Sequence, residues 1–186
     1  SPATSNTGNV LIESSEFEHN GAGDGFSHAM YLGNYAQFTL QYSYSHRGNV
    51  GHLVKSRGNV NRILYNRLTD EVSGTSSYEL NLPNAGTSYV IGNVIEQAAT
   101  TQNPALIAYG EEGVPAGYDA HLYVVNNTFL NNRAAGGTFI NNATTTPAVI
   151  TNNIFYNAGT ITPQASAMQT SNFVSATMGD PKFAAV

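Results

Sequence analysis

Lys55 and Arg57 stand two positions apart in GHLVKSRGNV, so a strand through this segment sets both side chains on one face. An amine beside a guanidinium suits one kind of chemistry, removal of a proton α to a carboxylate. The neighbouring cation favours the neutral, basic amine, and a guanidinium grips a carboxylate through paired hydrogen bonds. The reaction also needs an acid to assist a leaving oxygen, a part open to Tyr31 or His52. Loss of that oxygen makes the reaction a β-elimination. Return of a proton to the opposite face of the carbanion makes it an epimerisation, and the same residues serve both.

These residues belong to a wider charge pattern. Five of the seven basic residues, Arg47, Lys55, Arg57, Arg62 and Arg67, fall within 21 positions, and no Asp or Glu occurs between Asp24 and Asp70. His28, His46 and His52 lie in the same gap. The chain as a whole carries a formal charge of −5, so this segment reads as a cationic island that concentrates an anionic ligand. Overall acidity argues against general nucleic-acid binding, which needs a basic face. No apolar run approaches the roughly 18 residues that span a membrane, so no membrane partner is expected. The opening SPATSNTGNV lacks the charged and apolar segments of a signal peptide, and the absence of Cys excludes a disulfide scaffold.

The elements that must position these residues follow from a repeat. Only 10% of residues are charged, while 22 Asn and 18 Gly favour turns over long helices. Aligning the chain on Ser15, Ser43, Asn66, Asn93, Asn127 and Asn153 gives intervals of 28, 23, 27, 34 and 26 residues. Three positions before each anchor stand Ile12, Leu40, Ile63, Val90, Val124 and Ile150; two positions after stand Phe17, Ser45, Leu68, Ile95, Phe129 and Phe155. Between anchors lies another short strand-like run, in HAMYL, HLVKS, SYELNL, ALIAY and GTFIN. This period, with apolar columns and an Asn ladder at a tight turn, predicts an all-β fold: a right-handed parallel β-helix, a solenoid of about six to seven coils. The 186 residues read as a single domain over 1–186. An excursion is expected near 110–120, and an irregular C-terminal cover from about 158. No capping helix precedes the first coil, so the sequence reads as a fragment of a longer chain or as a subunit that self-associates through an uncapped coil end.

Strand alternation then assigns faces. If the aliphatic column points in, Leu11, Thr39, Arg62, Tyr89, Tyr123 and Val149 point out, which makes Arg62 and Tyr89 surface neighbours. In the second run His28, Met30 and Leu32 align with His52, Val54 and Ser56, leaving Tyr31, Leu53, Lys55 and Arg57 outside, with Glu79 and Asn81 on the next coil. Coils stack about 4.8 Å apart, so these residues form one cluster. The candidate catalytic set is Lys55, Arg57, Tyr31 and His52; His28, Arg62, Glu79, Asn81 and Tyr89 are candidate substrate-binding residues. Each also has an ordinary reading: a solvated lysine, an Arg57–Glu79 pair, stacked half-buried histidines, strand-forming tyrosines. His46, Arg47 and Arg67 read as solvated turn residues, and Glu111–Glu112 as a solvated loop pair.

The segment from Gly51 to Gln97 resembles coils of bacterial right-handed β-helix proteins related to polysaccharide lyases and uronate epimerases, in particular the alginate lyase and chondroitinase B type. The likeness extends over about 12–130. In that group a strand ending in Lys-Ser precedes an Asn-containing turn and the Lys is the catalytic base, which the resemblance maps to Lys55. Those lyases carry acidic calcium ligands shortly before the Lys, where this chain reads RGNVGHLV, and an Arg in the following coil, where it reads ELNLPNAG. No cofactor is therefore expected; calcium stays open on the resemblance alone, and the neutralising role passes to Arg57 or Arg62.

The expected function is a polysaccharide-active protein, a lyase or C5-epimerase acting on an acidic, uronate-containing glycan. Its partner would be that polysaccharide, and its location secreted or periplasmic in a bacterium. The alternatives are a non-catalytic glycan-binding or adhesin-type β-helix and a purely structural one. A glycoside hydrolase fits less well, because paired outward carboxylates are missing from the aligned strands.

Overall fold

The turn before each ladder position is where this chain declares its fold. Ser14, Tyr42, Tyr65, Gly92, Asn126, Asn152 and Ser171 all have left-handed backbone geometry, with φ between 48° and 71°. Each immediately precedes Ser15, Ser43, Asn66, Asn93, Asn127, Asn153 or Asn172. That geometry bends the chain sharply from one strand into the next, and it suits Asn and Gly best.

In the computed structural model, which describes residues 7–175, the turns link nineteen strands, β1 to β19 in chain order, and no α-helix occurs among the described residues. Sheet A contains β1 (Asn9–Glu13), β4 (Gln37–Gln41), β7 (Val60–Leu64), β10 (Thr87–Ile91), β13 (Leu122–Val125), β16 (Val149–Thr151) and β18 (Met168–Thr170). Sheet B contains β2 (Glu16–Glu18), β5 (Tyr44–His46), β8 (Arg67–Thr69), β11 (Val94–Gln97), β14 (Thr128–Asn131), β17 (Ile154–Tyr156) and β19 (Phe173–Ser175). Sheet C contains β3 (Tyr31–Leu32), β6 (Val54–Ser56), β9 (Leu80–Leu82), β12 (Ala105–Tyr109) and β15 (Thr138–Asn142). Every pairing is parallel, and the chain visits A, B and C in rotation as far as β17 before returning to A and B with β18 and β19, each strand beside its predecessor in the same sheet. The fold is all-β with three all-parallel sheets, an arrangement consistent with a parallel β-helix.

The apolar columns stack in register. Ile12, Leu40, Ile63, Val90, Val124 and Ile150 pair in sequence across sheet A. Phe17, Ser45, Leu68, Ile95, Phe129 and Phe155 do the same across sheet B. From Leu40 and Ser45 onward both columns are fully buried. At the A–B corner the Asn side chains form a continuous ladder. Asn93 Nδ2 donates to the Ile63 carbonyl at 2.8 Å and to Asn127 Oδ1 at 3.0 Å, while Asn93 Oδ1 accepts from the Asn66 N–H at 2.8 Å.

The C-terminal cover expected from about 158 is corrected in its described part. Beyond Thr160, which bridges to Thr138, strands β18 and β19 extend sheets A and B, and Asn172 Oδ1 accepts from the Asn153 N–H at 2.9 Å as the next rung. Gln169 takes the aliphatic position and the spacing from Asn153 is short, so the sequence hides this circuit. The opening segment to residue 6 and the end of the cover, with Lys182, lie outside the described residues. No helix of the described residues is long and apolar enough to cross a membrane.

Candidate functional site

Strands β3, β6 and β9 bring Tyr31, Lys55 and Asn81 side by side on sheet C, pairing Tyr31 with Lys55 and Lys55 with Asn81. Arg57 follows β6 directly. Its guanidinium uses three edges: Nε donates to Tyr31 Oη at 2.8 Å, Nη1 donates to Asn84 Oδ1, and Nη2 donates to Glu112 Oε2 at 2.6 Å. Lys55 Nζ stands 3.7 Å from Glu112 Oε1 and 5.5 Å from the centre of the Tyr31 ring. One carboxylate is thus held between two cations, beside a phenol.

Glu112 arrives on the excursion between β12 and β13, which folds back over sheet C. The Glu112 N–H donates to the Pro83 carbonyl at 2.9 Å, and Tyr118 Oη donates to the Arg57 carbonyl at 3.2 Å. Partial burial opposes the ionised form of Glu112, but the hydrogen bond and charge of Arg57, with Lys55 beside it, hold its carboxyl below the ordinary value. Burial likewise opposes the Arg57 charge, and the bonds to Tyr31 and Glu112 more than restore it. Glu111 accepts from Asn141 Nδ2 at 2.8 Å, and burial together with the Glu111 charge pushes the Tyr78 phenol up to about 12.

His28 and His52 stack face to face with ring centres 4.2 Å apart, and the His52 N–H donates to His28 Nδ1 at 3.1 Å. Burial first, then His28 and Lys55, push His52 down to about 3; burial and Lys55 also lower His28. His52 is therefore a neutral imidazole at pH 7, without the extra proton that a histidine acid delivers. Among the candidate acids this leaves Tyr31, whose Oη touches Arg57 Nε.

Glu79 is a correction. Instead of facing outward it is fully buried, with neither carboxylate oxygen hydrogen-bonded, and burial followed by the charge of Asp70 holds its carboxyl well above the ordinary value. Leu53, also expected outside, is fully buried. Both residues immediately precede their strands, β9 and β6, where the chain is still entering sheet C and the two-residue alternation does not yet apply. Asn81 is in register with Lys55 yet only 3% exposed, so it is covered rather than open to a ligand.

Arg62 and Tyr89 do pair, in sheet A, with the guanidinium carbon 5.1 Å from the ring centre and Tyr123 stacked on Tyr89 at 5.2 Å. They belong to a different sheet from Lys55 and Arg57. His46, Arg47 and Arg67, expected as solvated turn residues, form a third group on and beside sheet B: Arg47 bridges Glu18 and Glu71 at 2.6 Å each, and Arg67 lies 3.7 Å from Glu71. Near them Tyr42, Tyr65, Tyr44, Arg67 and Glu16 line an open groove of about 680 Å³ at the A–B corner. The island is thus divided among three sheets. The acids that pair with it lie outside the acid-free stretch of sequence: Glu18, Glu71 and Glu112 reach Arg47, Lys55 and Arg57 from other circuits, and Arg67 meets Glu71 in its own.

Glu112 and Asn84 are the members of the sheet C cluster that sequence reasoning missed. The usable signal was the acid-free gap itself: basic residues without nearby acids in sequence must find partners one or two circuits away. No protein-family model matches the chain, and no curated protein or solved structure matches it either.

Proposed function

We propose that this chain is a right-handed parallel β-helix that binds an acidic, uronate-containing polysaccharide across sheet C. It abstracts the proton α to the uronate carboxylate, acting as a lyase or C5-epimerase. Right-handedness rests on the general rule that parallel crossovers take that hand in about 98% of cases. The observation that carries the functional reading is the carboxylate of Glu112 seated between Lys55 and Arg57, beside Tyr31 Oη. A surface that holds one carboxylate this way has the charge and the donors to hold a substrate carboxylate in its place.

In this reading the substrate carboxylate takes the place of Glu112 on Arg57, which neutralises it. Lys55 Nζ removes the α proton, and the electron pair moves into the carboxylate. In elimination that pair then expels the oxygen on the β carbon as the Tyr31 phenol protonates it. In epimerisation the carbanion is reprotonated on its other face. No metal ion is invoked, and the substrate implies a secreted or periplasmic protein of a bacterium.

Incubation with alginate, pectate and glycosaminoglycans tests this. Formation of unsaturated uronate, read by absorbance, or a changed uronate composition, read by NMR, is the expected result, and Lys55→Ala abolishes it. Silence on all of these substrates removes the enzymatic reading. A second reading, glycan binding without turnover, is favoured by one observation: all three edges of Arg57 are already occupied. Retention of wild type in an acidic-glycan gel that Lys55→Ala leaves intact, with no product, selects it.

A further inference from the structure

Glu16 and Glu18 project from the same face of β2, and β5 sets His46 in register beside Glu18. One oxygen of each carboxylate and a ring nitrogen of His46 all lie within 4.8 Å of one another. His46 Nε2 is 3.0 Å from Glu16 Oε1. The histidine is only 4% exposed, with the Tyr44 ring stacked on it at 3.8 Å, whereas both glutamates reach solvent. Its other nitrogen, Nδ1, is buried with no hydrogen-bond partner, 3.8 Å from Glu71 Oε1.

This imidazole therefore has a carboxylate at each nitrogen. A doubly protonated ring directs an N–H at both sides, whereas a neutral ring carries a single N–H and turns one bare lone pair toward carboxylate oxygens. A divalent cation at Nε2 removes the conflict. The proton then sits on Nδ1, directed at Glu71, and the Nε2 lone pair joins Glu16 and Glu18 around the ion. Histidine ligands commonly direct their second N–H at such a carboxylate. Glu71 is itself fixed by Arg47 Nε at 2.6 Å and by the Tyr44 hydroxyl. Arg47 Nη1 lies 2.6 Å from Glu18 Oε1 and His19 Nδ1 3.3 Å from it, which orients the Glu18 carboxylate.

We propose that Glu16, Glu18 and His46 form a binding site for a divalent transition-metal ion, with Glu71 orienting His46. One imidazole and two carboxylates, open to water on the solvent side, suit Zn²⁺ or a neighbouring first-row ion. Ca²⁺ and Mg²⁺ prefer all-oxygen sets. The site lies on sheet B and is independent of the chemistry proposed for sheet C.

The test is calorimetric titration of the untagged, chelator-treated full chain with Zn²⁺, with ¹⁵N NMR of the histidine rings. Saturable binding at one site is expected, with a coordination shift at His46 Nε2. Glu16→Gln, Glu18→Gln and His46→Gln each weaken it at least about tenfold, while His52→Gln does not. Glu16 and Glu18 are exposed enough that their variants keep the fold. The proposal is overturned by absence of saturable binding, by binding that both glutamate variants leave unchanged, or by a His46 ring that stays doubly protonated between Glu16 and Glu71 at saturating Zn²⁺.

Discussion

At the scale of single residues, Glu112 governs what the sheet C surface can do. Its carboxylate occupies the donors of Arg57 and faces Lys55, so it competes with any incoming anion. Glu112→Gln should therefore raise affinity for an acidic glycan at low salt, by up to about fivefold for a partly solvated pair. Affinity electrophoresis reads this; a fall in affinity would instead make Glu112 part of the ligand contact. No local pattern could have announced this residue, because it reaches Arg57 across 55 positions of sequence. Glu79 makes a different point. Its buried carboxyl stays protonated in the fold but ionises freely once unfolded, so stability is full below the ordinary glutamate range. It falls as pH rises from there toward the raised folded value. Asp70 and Glu96, both raised mainly by burial, add to the same trend. Thermal melts from pH 4 to pH 8 should show the midpoint declining for wild type and declining less for Glu79→Gln, and a parallel decline would refute the assignment.

At the scale of elements, the corner between sheets A and B was the most legible part of the fold. Spacing of Asn residues and of the aliphatic positions before them could be read directly, because the ladder sets Asn at this corner from Asn66 onward, with Ser15 and Ser43 in the first two circuits. Asn93→Ala removes two donated and two accepted bonds inside the buried ladder. With partners left unsatisfied, the expected loss is about 2–4 kcal/mol in urea unfolding. The position just before each rung was not legible. Tyr42 and Tyr65 occupy it with φ of 52° and 55°, where Asn, Ser or Gly stand in the other circuits. Their rings stack at 5.7 Å, and a methyl group on Gly92 would meet the Tyr65 ring at 2.4 Å. Gly92→Ala should thus destabilise through both its left-handed backbone and this contact, whereas Tyr65→Gly removes a strained residue at the cost of the stack. A Gly92→Ala variant as stable as wild type would show that the tyrosine pair moves freely. Sheet C was the hardest to read, since the entries to β6 and β9, at Leu53 and Glu79, turn inward before alternation begins.

At the scale of the whole molecule, the charge island dissolves. A linear sequence concentrates five cations in 21 positions, but three strand directions per circuit distribute them over three sheets. Other circuits supply Glu18 and Glu71 to Arg47 and Glu112 to the Lys55–Arg57 pair, while Arg67 meets Glu71 of its own circuit. In the proposed reading a polyanion on sheet C meets Lys55 and Arg57, once Glu112 is displaced, and not all five cations. Counterion release makes the salt dependence of polyanion binding a count of the cations engaged, so a plot of log affinity against log salt should have a slope near −1 to −2 rather than near −5. Arg47→Gln and Arg67→Gln should leave both affinity and slope unchanged. Arg57→Gln should weaken binding and flatten the slope by about one. If Arg47→Gln or Arg67→Gln flattened the slope as much as Arg57→Gln, the polyanion would be running around the corner onto sheet B, and the ligand track would have to cross circuits and sheets together.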